Sequence, residues 1–155
     1  MAINGKINTM TRNWFSLILF FLFSCNRIET GSTLRKSDIE YIEKLRLLDP
    51  GEKIYKFYSE FKNEKAGNFF TDRRMATYWI DDRNKEKNEI SFAFYPDIKS
   101  IDTVYDPGPS YCPYMLVTRL DSTKFKVCAN GKREEIKSFF EEAMKLWIKN
   151  RGGRQ

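Results

Sequence analysis

Seven short segments between residues 53 and 129 are rich in apolar and aromatic residues, and several alternate strictly with polar residues. Alternation with a period of two is typical of a β-strand that has one face against a core. Turn-forming residues separate the segments, as in Thr71-Asp72-Arg73 and in residues 106–110. The predicted strands cover 53–61, 67–71, 74–81, 90–95, 98–105, 114–120 and 123–129. This order predicts a mainly β, antiparallel domain.

Helical patterns lie on both sides of the seven strands. Ser37 and Glu40 have the spacing of a capping box, and apolar residues at helical spacing follow, so we expect a short N-terminal helix over 37–48. A C-terminal helix is predicted over 132–150, where the apolar residues form one stripe. The stripe consists of Ile136, Phe140, Ala143 and Trp147, widened by Phe139 and Leu146.

Four short motifs within residues 50–150 resemble the pleckstrin-homology (PH)-like superfamily, especially bacterial PH-like and GRAM-type domains. They are Gly51-Glu52-Lys53-Ile54, Thr71-Asp72-Arg73-Arg74, the segment 95–101, and the helix that ends near Trp147. The resemblance implies a seven-stranded antiparallel barrel capped by the C-terminal helix, in a single domain over 37–151. The competing arrangement is an open α+β sheet with both helices on one face.

An uncharged apolar segment, Trp14–Ser24, precedes the first cysteine. It is shorter than the roughly 20 residues that a membrane-spanning helix needs. Its length suits the apolar region of a signal peptide, and Lys6 and Arg12 supply the positive charge before it. We therefore expect a signal peptide over residues 1–24, with Met1 or Met10 as the start.

Leu22-Phe23-Ser24-Cys25 resembles a bacterial lipobox. The resemblance implies that Cys25 carries lipid and becomes the new N-terminus, which makes the product a lipid-anchored membrane protein of the cell envelope. Each buried methylene contributes about 0.8 kcal/mol, so two or three acyl chains form a lasting anchor. After Cys25, the eleven polar residues 26–36 are predicted to form a flexible tether that reaches roughly 15–20 Å, so that the lipidated Cys and tether cover 25–36. The alternatives are an ordinary cleavage that leaves Cys25 as a free thiol, and a short anchor that stays uncut.

Asn26 follows the cysteine, which favours the outer membrane where the sorting rule of some Gram-negative bacteria applies. Without the signal peptide, the chain has 25 basic and 21 acidic residues, a formal charge of +4. No dense run of Lys or Arg is present, so we expect no nucleic-acid partner.

The chain contains no histidine, which removes Ser-His-Asp and Cys-His catalysis as well as His-ligated zinc. Adjacent acids such as Asp81-Asp82 point in different directions on a strand or helix, so they do not form a catalytic pair. We therefore expect a non-enzymatic protein that has no metal and no cofactor.

Two groups of residues are candidate binding sites. The resemblance implies a headgroup site at basic residues of the first loop and second hairpin, namely Lys62, Lys65, Arg73 and Arg74. The alternative is a solvated sheet edge. Tyr105, Tyr111 and Tyr114 flank a Pro-rich loop, where aromatic rings either form a ligand platform or hold the loop in place.

Cys112 precedes the predicted β-hairpin over 114–129, and Cys128 lies in its second strand. A two-residue turn at Asp121-Ser122 sets Cys128 opposite Met115, which places the two cysteines on opposite faces. That separation exceeds bridging distance, so we expect no disulfide between them.

Taken together, these patterns predict a lipid-anchored envelope module that binds a protein or an anionic headgroup through its loops or an exposed strand edge. The alternative function is an envelope immunity or inhibitor lipoprotein that neutralises a specific toxin or enzyme. Size, anchor and lack of catalytic groups fit both.

Overall fold

The computed structural model describes residues 28–152. The predicted signal peptide over 1–24 and the predicted lipid-bearing Cys25 lie outside this range. Two short 3₁₀ turns, Lys85–Lys87 and Tyr95–Asp97, flank the fourth strand. In chain order the main elements are α1 (Lys36–Lys44), β1 (Ile54–Tyr58), β2 (Ala66–Thr71), β3 (Arg74–Trp79), β4 (Glu89–Phe94), β5 (Ile98–Val104), β6 (Tyr114–Arg119), β7 (Lys124–Cys128) and α2 (Arg133–Asn150).

The seven strands form two antiparallel meanders. Strands β1 to β4 make one sheet and β5 to β7 make the other. The turn Tyr95–Asp97 carries Pro96 and leads the chain out of β4, so β5 begins the second sheet rather than extending the first. Within residues 28–152 no strand pairing joins the two sheets. The mainly β prediction is confirmed, whereas the closed barrel is wrong.

Strand β2 lies inside the four-stranded sheet and is buried on both faces, since every one of its residues is buried. Phe69 and Phe70 are neighbours on β2 and therefore point to opposite faces. Phe69 packs in a cluster with Ile42 of α1. Phe70 packs in a second cluster with the three-stranded sheet and α2. The two helices thus lie on different sides of the sheet, so the competing arrangement with both helices on one face is also wrong.

Helix α1 ends four residues earlier than predicted. Arg46 adopts a left-handed conformation with φ 60°, and the backbone N–H of Leu47 donates to the carbonyl of Ile42 over 3.2 Å. This is a Schellman motif, in which an apolar contact accompanies the hydrogen bond that closes the end of the helix. Leu47 and Ile42 are both fully buried, so the motif turns the chain inward where a longer helix would continue outward.

The start of α1 uses an ion pair instead of the predicted capping box at Ser37 and Glu40. Asp38 is buried and accepts two hydrogen bonds from the Arg35 guanidinium, over 2.8 and 3.0 Å, and one from the Asn63 amide. Burial acts to raise the pKa of Asp38, but these hydrogen bonds outweigh it and leave the pKa below its ordinary value.

Residues 28–35 lie along β1. Glu29 and Phe57 exchange both backbone hydrogen bonds, over 2.8 and 2.9 Å, and Leu34 is buried. Gly31 passes so close to β1 that a Cβ atom there would lie 2.4 Å from the carbonyl oxygen of Ile54. The described part of the predicted tether over 25–36 therefore belongs to the folded domain.

Helix α2 covers the space between the sheets, as its apolar stripe predicts. Ile136, Phe139, Phe140, Ala143 and Trp147 are buried in the cluster that contains both sheets. Neither helix within residues 28–152 has the combined length and apolar character that crossing a bilayer requires.

Candidate functional site

Cys112 and Cys128 form a disulfide, with their Cα atoms 5.9 Å apart. Tyr114 pairs with Cys128, because the β6–β7 hairpin turns through three residues, 120–122, with Ser122 left-handed at φ 70°. A change of register by one residue moves every side chain to the other face of the sheet. The two cysteines therefore share a face, and the prediction that they would not bond is wrong.

Two loops meet at this disulfide, residues 59–65 after β1 and residues 105–113 after β5, and together we call them the loop end. The Glu60 carboxylate and the sulfur atoms of Cys112 and Cys128 all lie within 4.8 Å of one another. Glu60 is an exposed residue, but partial desolvation of its carboxylate beside the disulfide raises its pKa. A cysteine binds a metal through its free thiolate, and neither cysteine has one because the two sulfur atoms form a disulfide. The contact therefore joins two loops and is not a metal site.

Two exposed aromatic side chains flank this contact. Phe61 follows Glu60 and Tyr111 precedes Cys112; their exposed fractions are 62% and 61%. These are the largest values among the bulky apolar residues of 28–152. The loop end therefore presents apolar surface to its surroundings on both sides of the disulfide.

Lys126 of β7 adds a cation to the loop end. Its Nζ lies 4.3 Å from the ring centre of Tyr111 and 4.6 Å from that of Tyr114. An ammonium between two tyrosine rings holds them by cation–π attraction. Two of the three predicted tyrosines thus share a cation, whereas Tyr105 packs on α2 with its ring 5.2 Å from that of Phe140.

The four predicted basic residues do not form one patch. Lys62 is exposed in the loop end. Lys65 lies nearby, where its ion pair with Asp82 raises its pKa. Arg73 and Arg74 lie at the other end of β2, in the turn to β3. Lys62 and Lys65 therefore lie at one end of β2, and Arg73 and Arg74 lie at the other.

Arg74 is buried in a network of ion pairs at the β2–β3 turn. Its guanidinium donates to both carboxylate oxygens of Glu52, over 2.9 and 2.7 Å, and lies 2.6 Å from Asp49. It also stacks on Phe92 and Phe94, at 5.2 and 4.3 Å from the ring centres. Arg74 is thus held by two carboxylates and two aromatic rings of the protein itself, which is a structural role.

A cavity of about 450 Å³ opens beside Arg73 at this same end, which we call the hairpin end. Arg73 binds Asp49 over 3.1 Å and stacks above Phe94. The cavity is lined by Asp72, Arg73, Phe94, Tyr95, Pro96, Asp97 and Asn150.

Comparison of the chain with known protein families, with curated proteins and with solved structures finds no match. The two ends of the domain carry its candidate sites. The sequence did not predict four features of the loop end, namely Glu60, Phe61, Lys126 and the disulfide. The correct hairpin register would have revealed the disulfide, but not its contact with Glu60 of the other loop.

Proposed function

We propose that the chain is an exported lipoprotein, anchored in the cell envelope by lipid on Cys25, whose folded domain is a non-enzymatic binding module. The observation that carries this proposal is the disulfide between Cys112 and Cys128. Disulfides persist in oxidising compartments outside the cytosol, so this bond supports the export that Trp14–Ser24 predicts.

The proposed domain is PH-like. A four-stranded meander, a three-stranded meander and one C-terminal helix follow one another in the order that the resemblance implies. The two sheets are not closed into a barrel, and α1 with residues 28–35 adds a layer on the outer face of the first sheet. The open arrangement of the sheets and the extra layer distinguish this chain from a minimal PH-like domain.

The proposed binding surface is the loop end, which recognises a protein or an anionic headgroup. Phe61 and Tyr111 are exposed, and Lys62 and Lys126 provide positive charge beside them. Aromatic rings with cations at their margin suit surfaces that are apolar inside and charged outside. Arg74, in contrast, is committed to Glu52 and is not part of this surface.

Mass spectrometry of the mature protein from its native envelope tests the anchor. We expect a diacylglyceryl group on Cys25 and no residue before it. A Cys25→Ala variant should lose incorporation of labelled palmitate and leave the membrane fraction. Palmitate that stays on the variant, or a mature product that keeps residues 1–24, would refute the anchor.

Crosslinking in intact envelopes tests the binding surface. Photo-reactive residues at positions 61 and 111 should give adducts with one protein or with lipid. Position 120 is the matched control, since Leu120 is 58% exposed and lies at the other end of β6. Equal labelling from all three positions would mean that the loop end is ordinary surface.

A further inference from the structure

The first described residues approach the domain from the side of the loop end. Glu29 pairs with Phe57 in an antiparallel bridge, so this segment runs opposite to β1. Strand β1 leads into the loop over 59–65, and Ile28 therefore lies beside that loop. Ile28 also packs against the main core, which holds it in this position.

The distance between the lipid-bearing position and the packed domain is short. Cys25 and Ile28 are three residues apart, and three residues span at most about 11 Å. The headgroup layer of one leaflet is roughly 5–8 Å thick. A connection of at most about 11 Å keeps the domain within a few ångströms of the headgroups, whereas the tether of eleven residues expected from the sequence would have let it move farther away.

The surface next to Ile28 suits a membrane interface. Phe61 and Tyr111 are the most exposed bulky apolar side chains of residues 28–152. Tyrosine concentrates at the level of lipid headgroups, where its apolar ring and polar tip are both accommodated. Phenylalanine is among the apolar residues that interfacial segments bury at the boundary between headgroups and acyl chains. Lys62 and Lys126 lie beside them. The two loops also carry three exposed acids, namely Glu60 next to the disulfide, Glu64 within 3.9 Å of Arg35, and Asp106.

We propose that the loop end rests in the headgroup layer of the same bilayer that holds the Cys25 lipid, with Phe61 and Tyr111 inserted. This inference rests on the proposed lipidation and names the partner of the loop end as lipid. It follows that the cavity beside Arg73, at the far end of β2, points away from the membrane and stays open to other molecules.

Depth-dependent fluorescence quenching tests this orientation on the mature, lipid-modified protein. A single tryptophan replaces Phe61 in one variant and Leu120 in the other, both in a Trp79→Phe background. Trp147 is buried and contributes equally to each variant. Both variants are reconstituted into equimolar phosphatidylcholine–phosphatidylglycerol vesicles whose acyl chains carry bromine. We expect quenching at position 61 to exceed that at position 120 by roughly twofold or more, because an inserted ring lies 5–10 Å into the headgroup and acyl boundary.

Mass spectrometry of the same samples separates the two proposals. If Cys25 carries lipid and the two positions are quenched equally, the inferred orientation is wrong and the anchor stands. If Cys25 carries no lipid, the anchor and the orientation both fail. Repeating the measurement in phosphatidylcholine alone identifies the attraction: unchanged quenching assigns the insertion to the aromatic rings, and reduced quenching assigns part of it to Lys62 and Lys126.

Discussion

The two ends of the four-stranded sheet use charged and aromatic residues in opposite ways. At the hairpin end, Arg74 is fully buried, with both Glu52 oxygens and two aromatic rings around it. At the loop end, Phe61 and Tyr111 face outward, and one lysine lies between two tyrosine rings. The buried Arg74 network pairs its charges within the protein and stabilises the fold. The exposed rings of the loop end leave apolar surface free to contact another molecule. Basic residues in the sequence are therefore no guide to a binding site until their partners are known.

Removing one member of the buried network should have the largest effect on stability. An Arg74→Met variant leaves Glu52 buried without its partner, and breaking a buried pair in this way destabilises by about 3–5 kcal/mol. Urea unfolding of the folded protein measures the change. Arg73→Met is the matched control, because Arg73 is half exposed and its pair with Asp49 contributes about 1 kcal/mol or less. Similar losses in the two variants would remove the distinction between a structural and an accessible arginine.

Opening the disulfide should destabilise the loop end by a smaller amount. Cys112 and Cys128 are separated by 16 residues, and closing a loop of that size stabilises by about 3 kcal/mol. A Cys112→Ser, Cys128→Ser double variant should therefore unfold at lower urea concentration than the oxidised protein. The reduced wild type should behave like the variant. If reduction changes nothing, the bond between the loop over 105–113 and β7 does not stabilise the fold.

The regular elements could be predicted because each carries its own local pattern. The predicted β3 over 74–81 and the observed Arg74–Trp79 differ only at the end, and the stripe of α2 from Ile136 to Trp147 is the one that is buried. These patterns describe which face of an element is apolar, and they depend on neighbours two to four residues away.

The site could not be predicted, because it depends on contacts between distant residues and on one turn. Ser122 in a left-handed conformation shifts the hairpin by one residue, which decides whether Cys112 and Cys128 can bond. Arg74 and Glu52 are 22 residues apart, so the sequence does not reveal that they pair. Basic residues that look equivalent in the sequence therefore have different roles in the fold.

Glu60 should give the loop end a pH dependence of known sign. Partial desolvation raises the folded-state pKa of Glu60 above the unfolded value of about 4.3. The protonated Glu60 side chain stabilises the folded state fully at a pH below the unfolded-state pKa. This stabilisation is lost as the pH rises through the folded-state pKa. A Glu60→Gln variant should therefore be more stable than wild type at neutral pH, and the difference should shrink as the medium is acidified. Urea unfolding at several pH values measures this, and a difference that grows on acidification would show that Glu60 is stabilised as a carboxylate.

Asp38 provides the opposite sign in the same experiment. Hydrogen bonds from Arg35 and Asn63 keep the pKa of Asp38 below its ordinary value despite burial. The ionised Asp38 side chain stabilises the folded state at a pH above the unfolded-state pKa. This stabilisation is lost as the pH falls through the folded-state pKa. An Asp38→Asn variant should therefore approach wild-type stability in acid and fall below it at neutral pH, which distinguishes a paired acid from the unpaired environment of Glu60.

The smallest effect on stability is expected where the proposed effect on binding is greatest. Phe61→Ser and Tyr111→Ser replace exposed side chains, and surface substitutions usually change the free energy of unfolding by less than about 0.5 kcal/mol. Tyr111→Ser also removes one of the two rings around Lys126, a contact of about 0.5–1 kcal/mol at an exposed site. Urea unfolding should therefore separate these variants from Arg74→Met by several-fold. A loss from Phe61→Ser as large as that from opening the disulfide would mean that the ring is held by the fold. In that case the apolar surface of the loop end would be structural, as Arg74 is at the hairpin end.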